Sequence, residues 1–243
     1  MVSLRQLPKM RGAVLWEGES LKDGKPLVAI ATLKSANTKT GNMVQTWILR
    51  SDMNPVEARY NGEDISICGD CTHRVNQSCY VNVGQAPNQI YKTYKEGKYP
   101  HVDSKDMEIL TRFRSVRLGA YGDPAFVPTN IWRDLLKASR GHTGYTHQWK
   151  EKFIDTSIKK YVMASVDNLR EYQQAKKEGW RTFRVRKRGE ENLGTEISCL
   201  ATEEGGFKSN CEFCLLCSGA KKNKKAKDIT VVVHGSRASN FAG

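Results

Sequence analysis

From Asp64 onward, short β-prone runs alternate with amphipathic helical runs, and this alternation narrows the fold more than any other feature of the chain. SVRLGAY, GYTHQW, YVMASVD, TFRVRK, EISCLA and DITVVVHGS carry the β-branched and aromatic residues that suit strands. NQIYKTYKEGKYP, PAFVPTNIWRDLLKASRG and NLREYQQAKKEGW have helical composition and end on glycine stops at Gly97, Gly141 and Gly179. Strands joined by helices return through right-handed crossovers and pair in parallel, so the expected fold is α/β, a partial or complete parallel βα barrel. DISIC, residues 64–68, is expected to be its first strand, ending at a cysteine, and DITVVVHGS its last, at the sheet edge. Thr129 or Asn130 is expected to cap the helix after PAFVP. Ahead of this region AVLW, LVAIATL and MVQTWIL are separated by turn formers, which predicts a small antiparallel element and a division into residues 1–60 and 61–243.

All seven cysteines fall in two stretches. Cys68, Cys71 and Cys79 form a CxxC with a third thiol after a loop; Cys199 precedes Cys211, Cys214 and Cys217, a CxxCxxC. Two-residue gaps let neighbouring sulfurs turn onto one ion or cluster, so these spacings predict metal binding. Disulfides fit poorly with an odd count in a chain long enough to bury its own core. The expected occupants are an iron–sulfur cluster, of the four-iron type, or zinc; the four cysteines of the second set suit a fully ligated site. His73, inside the first loop, is a candidate fourth ligand or a solvent-facing residue.

The chain has 243 residues, and Lys plus Arg number 39 against 26 Asp plus Glu, a net charge of +13. Such a surface selects polyanions, and single-stranded DNA or RNA is the expected partner, with replication or transcription machinery beyond it. Five lysines crowd SGAKKNKKAKD, at Lys221, Lys222, Lys224, Lys225 and Lys227, and with Arg184 and Arg186 of TFRVR they are the candidate phosphate contacts. No apolar run approaches a membrane span and the first residues lack a secretory stretch, so a cytoplasmic protein is expected.

Loops after parallel strands gather on one face, and that face would collect Asp123, His147, Ser165 and Asp167. Asp123, in GAYGDP, is either a ligand-binding carboxylate between glycines or a helix cap. His147 is either an acid–base group or a packing histidine, and Asp167 either a cofactor contact or an ion-pair partner of Arg184 or Arg186. Tyr121, Tyr145 and Trp149 are candidates for base stacking or for packing. No GxxxxGK[ST], GxSxG or HExxH occurs, which removes P-loop, hydrolase-elbow and simple zincin chemistry.

The order of β-prone run, three-cysteine loop, helix and glycine-rich RLGAYGDP resembles the radical S-adenosylmethionine barrel superfamily. More closely, ICGDC, CYVN, RLGAYGDP, GYTHQW, MASVD and GWRTFRVR are similar to an uncharacterised phage and mobile-element family. Some of its members are labelled as associated with rolling-circle replication. The resemblance spans roughly residues 60 to 236. It implies a phage-encoded protein of the bacterial cytoplasm, with a cluster on Cys68, Cys71 and Cys79 and S-adenosylmethionine as second cofactor. Gly119, Tyr121, Gly122 and Asp123 would then hold the cofactor amine, with Ser165 and Asp167 as further contacts. The usual CxxxCxxC spacing of that superfamily is replaced here by CxxC and a cysteine eight residues on. Two functions stay open: a nucleotide-modifying enzyme, and a non-catalytic single-strand-binding accessory protein with structural metals.

Overall fold

The structure, a computed structural model, describes residues 10–220 and 226–243. Strands β1 (Gly12–Glu19), β2 (Pro26–Thr32) and β3 (Val44–Arg50) come first, followed by helices α1 (Pro55–Tyr60), α2 (Ile65–Cys68), α3 (Thr72–Val75), α4 (Ala86–Lys95) and α5 (Ser104–Thr111). Next are β4 (Ser115–Tyr121), α6 (Thr129–Leu136), β5 (Gly141–Thr146), β6 (Met163–Val166), α7 (Leu169–Lys177) and β7 (Thr182–Arg186). The chain closes with β8 (Glu196–Ser198), α8 (Cys211–Cys214) and β9 (Asp228–Val232). All nine strands belong to one sheet in the order β1-β2-β3-β4-β5-β6-β7-β9-β8. The two pairings at the start are antiparallel and every later one is parallel. No pairing joins β1 to β8 among the described residues, so the sheet is open. Nor is any helix there long and apolar enough to cross a membrane.

Alternation along the strands sends side chains to two different cores. Val116 and Leu118 of β4, with Ala164 and Val166 of β6, join Trp132, Leu135 and Ala175 of α6 and α7 in the main core, which reaches back to Val28 and Ile30 of β2. Met163, Phe183 and Ile229 point the other way, into a small cluster that holds Cys199 and Cys217. The segment bearing the second cysteine set therefore covers the sheet face that the helices leave bare. It is anchored there by Gly144, whose amide donates to the Cys217 carbonyl at 3.0 Å, and by Cys211, whose amide donates to the Lys39 carbonyl at 3.0 Å.

Several local expectations change. DISIC is not a strand: Ile67 is buried in the main core and Ser66 accepts from Arg50 at 3.3 Å, so tertiary contacts fix α2 although isoleucine suits strands equally well. Pro128, not Thr129 or Asn130, occupies the cap position of α6. β9 is interior, between β7 and β8, and the three-residue β8 forms the edge instead. The N-terminal strands are antiparallel as expected, yet they share both sheet and core with the βα region, because β3 pairs in parallel with β4.

Candidate functional site

In a parallel sheet the loops after the strands meet at the carboxyl ends. Here β3 leads into the first cysteine loop, β4 into Asp123, β5 into His147 and β6 into Asp167. Asp123 fastens this end together. Its amide donates to the Ile67 carbonyl at 2.7 Å, one carboxylate oxygen accepts from the Ala125 amide at 2.9 Å, and the other from the His147 amide at 2.8 Å. Burial raises its carboxyl pKa, and those amides oppose the shift. Each oxygen accepts one backbone amide, so Asp123 acts as the cap and strut of this corner. Gly119 and Gly122, at φ 66° and 76°, serve the chain's own packing. A Cβ on Gly119 would sit 2.7 Å from the Pro124 ring, and one on Gly122 2.5 Å from the Ile48 carbonyl. The space beside these two glycines is therefore taken by the chain itself.

His73, His147 and Asp167 converge, each offering one ligand atom, with all three atoms within 4.8 Å of one another. Nε2 of His73 stands 3.2 Å from Asp167 Oδ1, while its Nδ1 meets Ser78 Oγ at 2.8 Å. The Thr72 hydroxyl donates to Asp167 Oδ2. Asn168 caps α7, and Glu171 of the first turn reaches back to accept from the Asp167 amide at 3.0 Å, a capping arrangement that fixes the carboxylate. Burial pushes the Asp167 carboxyl up, but the His73 hydrogen bond and the neighbouring His147 outweigh it and hold the pKa at about 2. The His73 and His147 rings meet edge to face at 5.4 Å, and Phe241 stacks on His73 at 5.4 Å.

None of the seven thiols is in a disulfide. The first three act on one another: burial, then Cys71, Asp64 and Cys79, pushes the Cys68 thiol well above its ordinary range, and Cys71 is pushed up to about 12, chiefly by burial. Three buried side-chain atoms around them have no hydrogen-bond partner: Arg59 Nη2, Tyr121 OH and Gln148 Oε1. Their residues reach the loop directly. Arg59 donates to the Val81 carbonyl at 3.2 Å and Gln148 to the Cys68 carbonyl at 2.9 Å, while Tyr121 feels the charges of Cys68 and Cys79. In the second set Cys217 is likewise pushed up to about 12 by burial, and Cys199 acts on both Cys211 and Cys217. Beside them lies Arg117, 7% exposed, with its guanidinium 4.4 Å from the Tyr145 ring centroid. Burial works against its charge, yet Tyr145, Tyr80 and Cys211 raise its pKa overall. No carboxylate pairs with it among the described residues.

The remaining expected residues are scattered. Arg184 is buried in a two-pronged bond to Glu196, 2.8 Å on each prong, with Glu190 at 3.1 Å, and Arg186 donates to the Glu190 carbonyl. Arg184 is spent internally, whereas Arg186 makes that one bond and leaves its buried Nε without a partner; i and i+2 on β7 share a face, and that face meets the acidic 190–196 segment. Asp167 pairs with His73, not with either arginine. Ser165 is buried, and its carbonyl accepts from Trp149 Nε1 at 2.8 Å. Tyr121 and Trp149 are buried packing residues, and the Tyr145 ring lies tilted against that of Phe183, centroids 4.1 Å apart. Lys227 is exposed, whereas Lys221, Lys222, Lys224 and Lys225 lie outside the described residues. Sequence reasoning missed Thr72, Ser78, Arg117 and Phe241, whose roles depend on which loops meet in space. Comparison with family models, with curated proteins and with solved structures finds no match.

Proposed function

We propose that the chain is a cytoplasmic metal–thiolate protein acting on nucleic acid, with Cys68, Cys71 and Cys79 holding an iron–sulfur cluster at the carboxyl ends of a barrel-like parallel sheet. Cys199, Cys211, Cys214 and Cys217 would hold a second, fully ligated centre. The observation that carries this reading is the set of unpartnered buried polar atoms, from Arg59, Tyr121 and Gln148, drawn around three interacting thiols. Buried polar groups normally find a partner, and a bound cluster with its own ligands would supply one. A single tetrahedral zinc holds its sulfurs about 2.3 Å away and so within about 4 Å of each other. No three cysteine sulfurs meet within 4.8 Å among the described residues, which is wider than one such zinc allows.

A cluster held by three cysteines keeps one iron open, and the chemistry it supplies when bound is electron transfer to a ligand at that iron. Around it the chain's own residues would exclude water through Tyr121 and Ile67 and fix the loop through Gln148. S-adenosylmethionine fits poorly at Gly119–Asp123, where the space beside the glycines is filled by Pro124 and Ile48 and Asp123 is held by backbone amides. For the polyanion the support is the +13 charge and a patch at the opposite strand ends, away from the cluster, which favours a binding role over modification at the cluster: Phe113, 84% exposed at φ 61°, between Arg112 and Arg114, with Arg140 5.3 Å from the ring of exposed Phe213. A bulky residue at positive φ is an outlier, and exposed aromatics among arginines stack bases.

Anaerobic purification followed by iron, sulfide and zinc analysis tests the reading. Iron and sulfide in equal amounts, partly lost in Cys71→Ala and in Cys214→Ser, would support it; a colourless zinc protein would sink it. Single-strand affinity should fall as salt rises. Phe113→Ala should cost about 1–3 kcal/mol of binding for a lost stacked base.

A further inference from the structure

The His73, His147 and Asp167 grouping comes from three separate strand-end loops, and it stands apart from the thiols in its chemistry. Two imidazoles and one carboxylate present three electron-pair donors to one point. His147 Nε2 is buried and has no partner, although its ring is held in place: the His147 amide is fixed on Asp123 and the ring is braced edge to face by His73. His73 and Asp167 are each held from behind, by Ser78 on Nδ1 and by the Thr72 hydroxyl on Oδ2. Outer partners of this kind orient metal-binding imidazoles and carboxylates and make them better donors. Imidazole selects iron(II), zinc or cobalt over magnesium and calcium, and two histidines with one carboxylate leave open positions on the ion.

We infer that His73, His147 and Asp167 form a mononuclear site for a divalent transition-metal ion, distinct from whatever the cysteines hold. The ion bonds to the inward nitrogen of each histidine and to a carboxylate oxygen of Asp167. Its open positions accept an oxygen ligand, water or a phosphate or hydroxyl oxygen of a bound nucleotide. Phe241 lies flat on His73 and closes one side.

Cobalt(II) added anaerobically to the full chain tests this, because a nitrogen and oxygen site gives weak visible bands, whereas thiolates add an intense near-ultraviolet charge-transfer band. The expected result is one equivalent of cobalt showing the weak bands alone, retained in Cys71→Ser and Cys214→Ser and lost in His147→Ala. Ser78→Ala, which leaves all three ligands in place, should weaken binding by roughly 10- to 100-fold. Circular dichroism of each variant separates lost binding from lost folding. If His147→Ala does not fold, the Ser78→Ala titration decides alone. Cobalt that binds only with the charge-transfer band, or that is held equally well by folded His147→Ala or by Ser78→Ala, overturns the inference. So does a chain that takes up no cobalt. Iron lost in Cys71→Ser with the weak bands intact would leave this site standing whatever becomes of the cluster reading.

Discussion

The guanidinium of Arg117 lies 4.4 Å from the centroid of the Tyr145 ring, on the sheet face that also carries Cys199, Cys211 and Cys217. A buried cation without a carboxylate is costly unless an anion stands near it, and under the proposed function metal-bound thiolates would be that anion. Arg117→Met should therefore act in opposite ways on the two forms of the protein. With metal, the melting stability should fall by about 3 kcal/mol; after chelation it should be unchanged or higher. Thermal melts of both forms with and without the substitution check this, and an equal loss in each would refute it.

Glu196 is fully buried and holds Arg184 by two bonds of 2.8 Å. Glu196→Ala strands the guanidinium in the interior and should cost about 3–5 kcal/mol in urea unfolding, whereas single-strand affinity per folded molecule should not change. Weaker binding with unchanged unfolding would return Arg184 to the nucleic-acid surface.

Gly122→Ala should be severe, because the new Cβ would lie 2.5 Å from the Ile48 carbonyl, which is backbone, at φ 76°. The left-handed conformation alone costs about 1–2 kcal/mol. Gly24→Ala shares a positive φ, 70°, with open space around the Cβ, so it should show that part only. Paired denaturation curves separate the two contributions.

Tyr94 of α4 donates to Glu17 of β1, and together with His101 it holds the Glu17 carboxyl below the usual carboxylate range. A depressed carboxyl stabilises the fold above its ordinary value, about pH 4.3, and the benefit disappears as the pH falls through the lowered value. Tyr94→Phe should raise the Glu17 pKa in an NMR titration. The stability difference from the parent should be present at pH 7 and shrink below about pH 4. A difference independent of pH would mean that the phenol only packs.

Much of the sheet was legible because its signal is local. Val28 to Ala31 and Trp47 to Leu49 are apolar runs between turn formers, and each became a strand. Ile65 and Ile67 misled because four residues carry too little pattern for periodicity to separate strand from helix. The place of β9 was illegible, since insertion between β7 and β8 is decided by crossovers and not by the residues of DITVV. The pairing of Arg184 could have been read: Glu190 and Glu196 come within a few residues and reach back. His73, His147 and Asp167 were each visible singly. Their meeting required knowing that β4, β5 and β6 lie side by side, and that the cysteine loop folds over their ends.

Gln148 ties two parts of this end of the sheet together. It comes directly after His147, its amide nitrogen is bonded to the Cys68 carbonyl, and it lies so close to Gly69, at φ 53°, that a Cβ there would come within 2.1 Å of its oxygen. The cysteine loop and the histidine after β5 thus rest on one wedge, and neither can shift without pressing on the other. Occupancy of one should therefore shift affinity at the other without abolishing it, and thermodynamic reciprocity requires the factor to be the same in both directions.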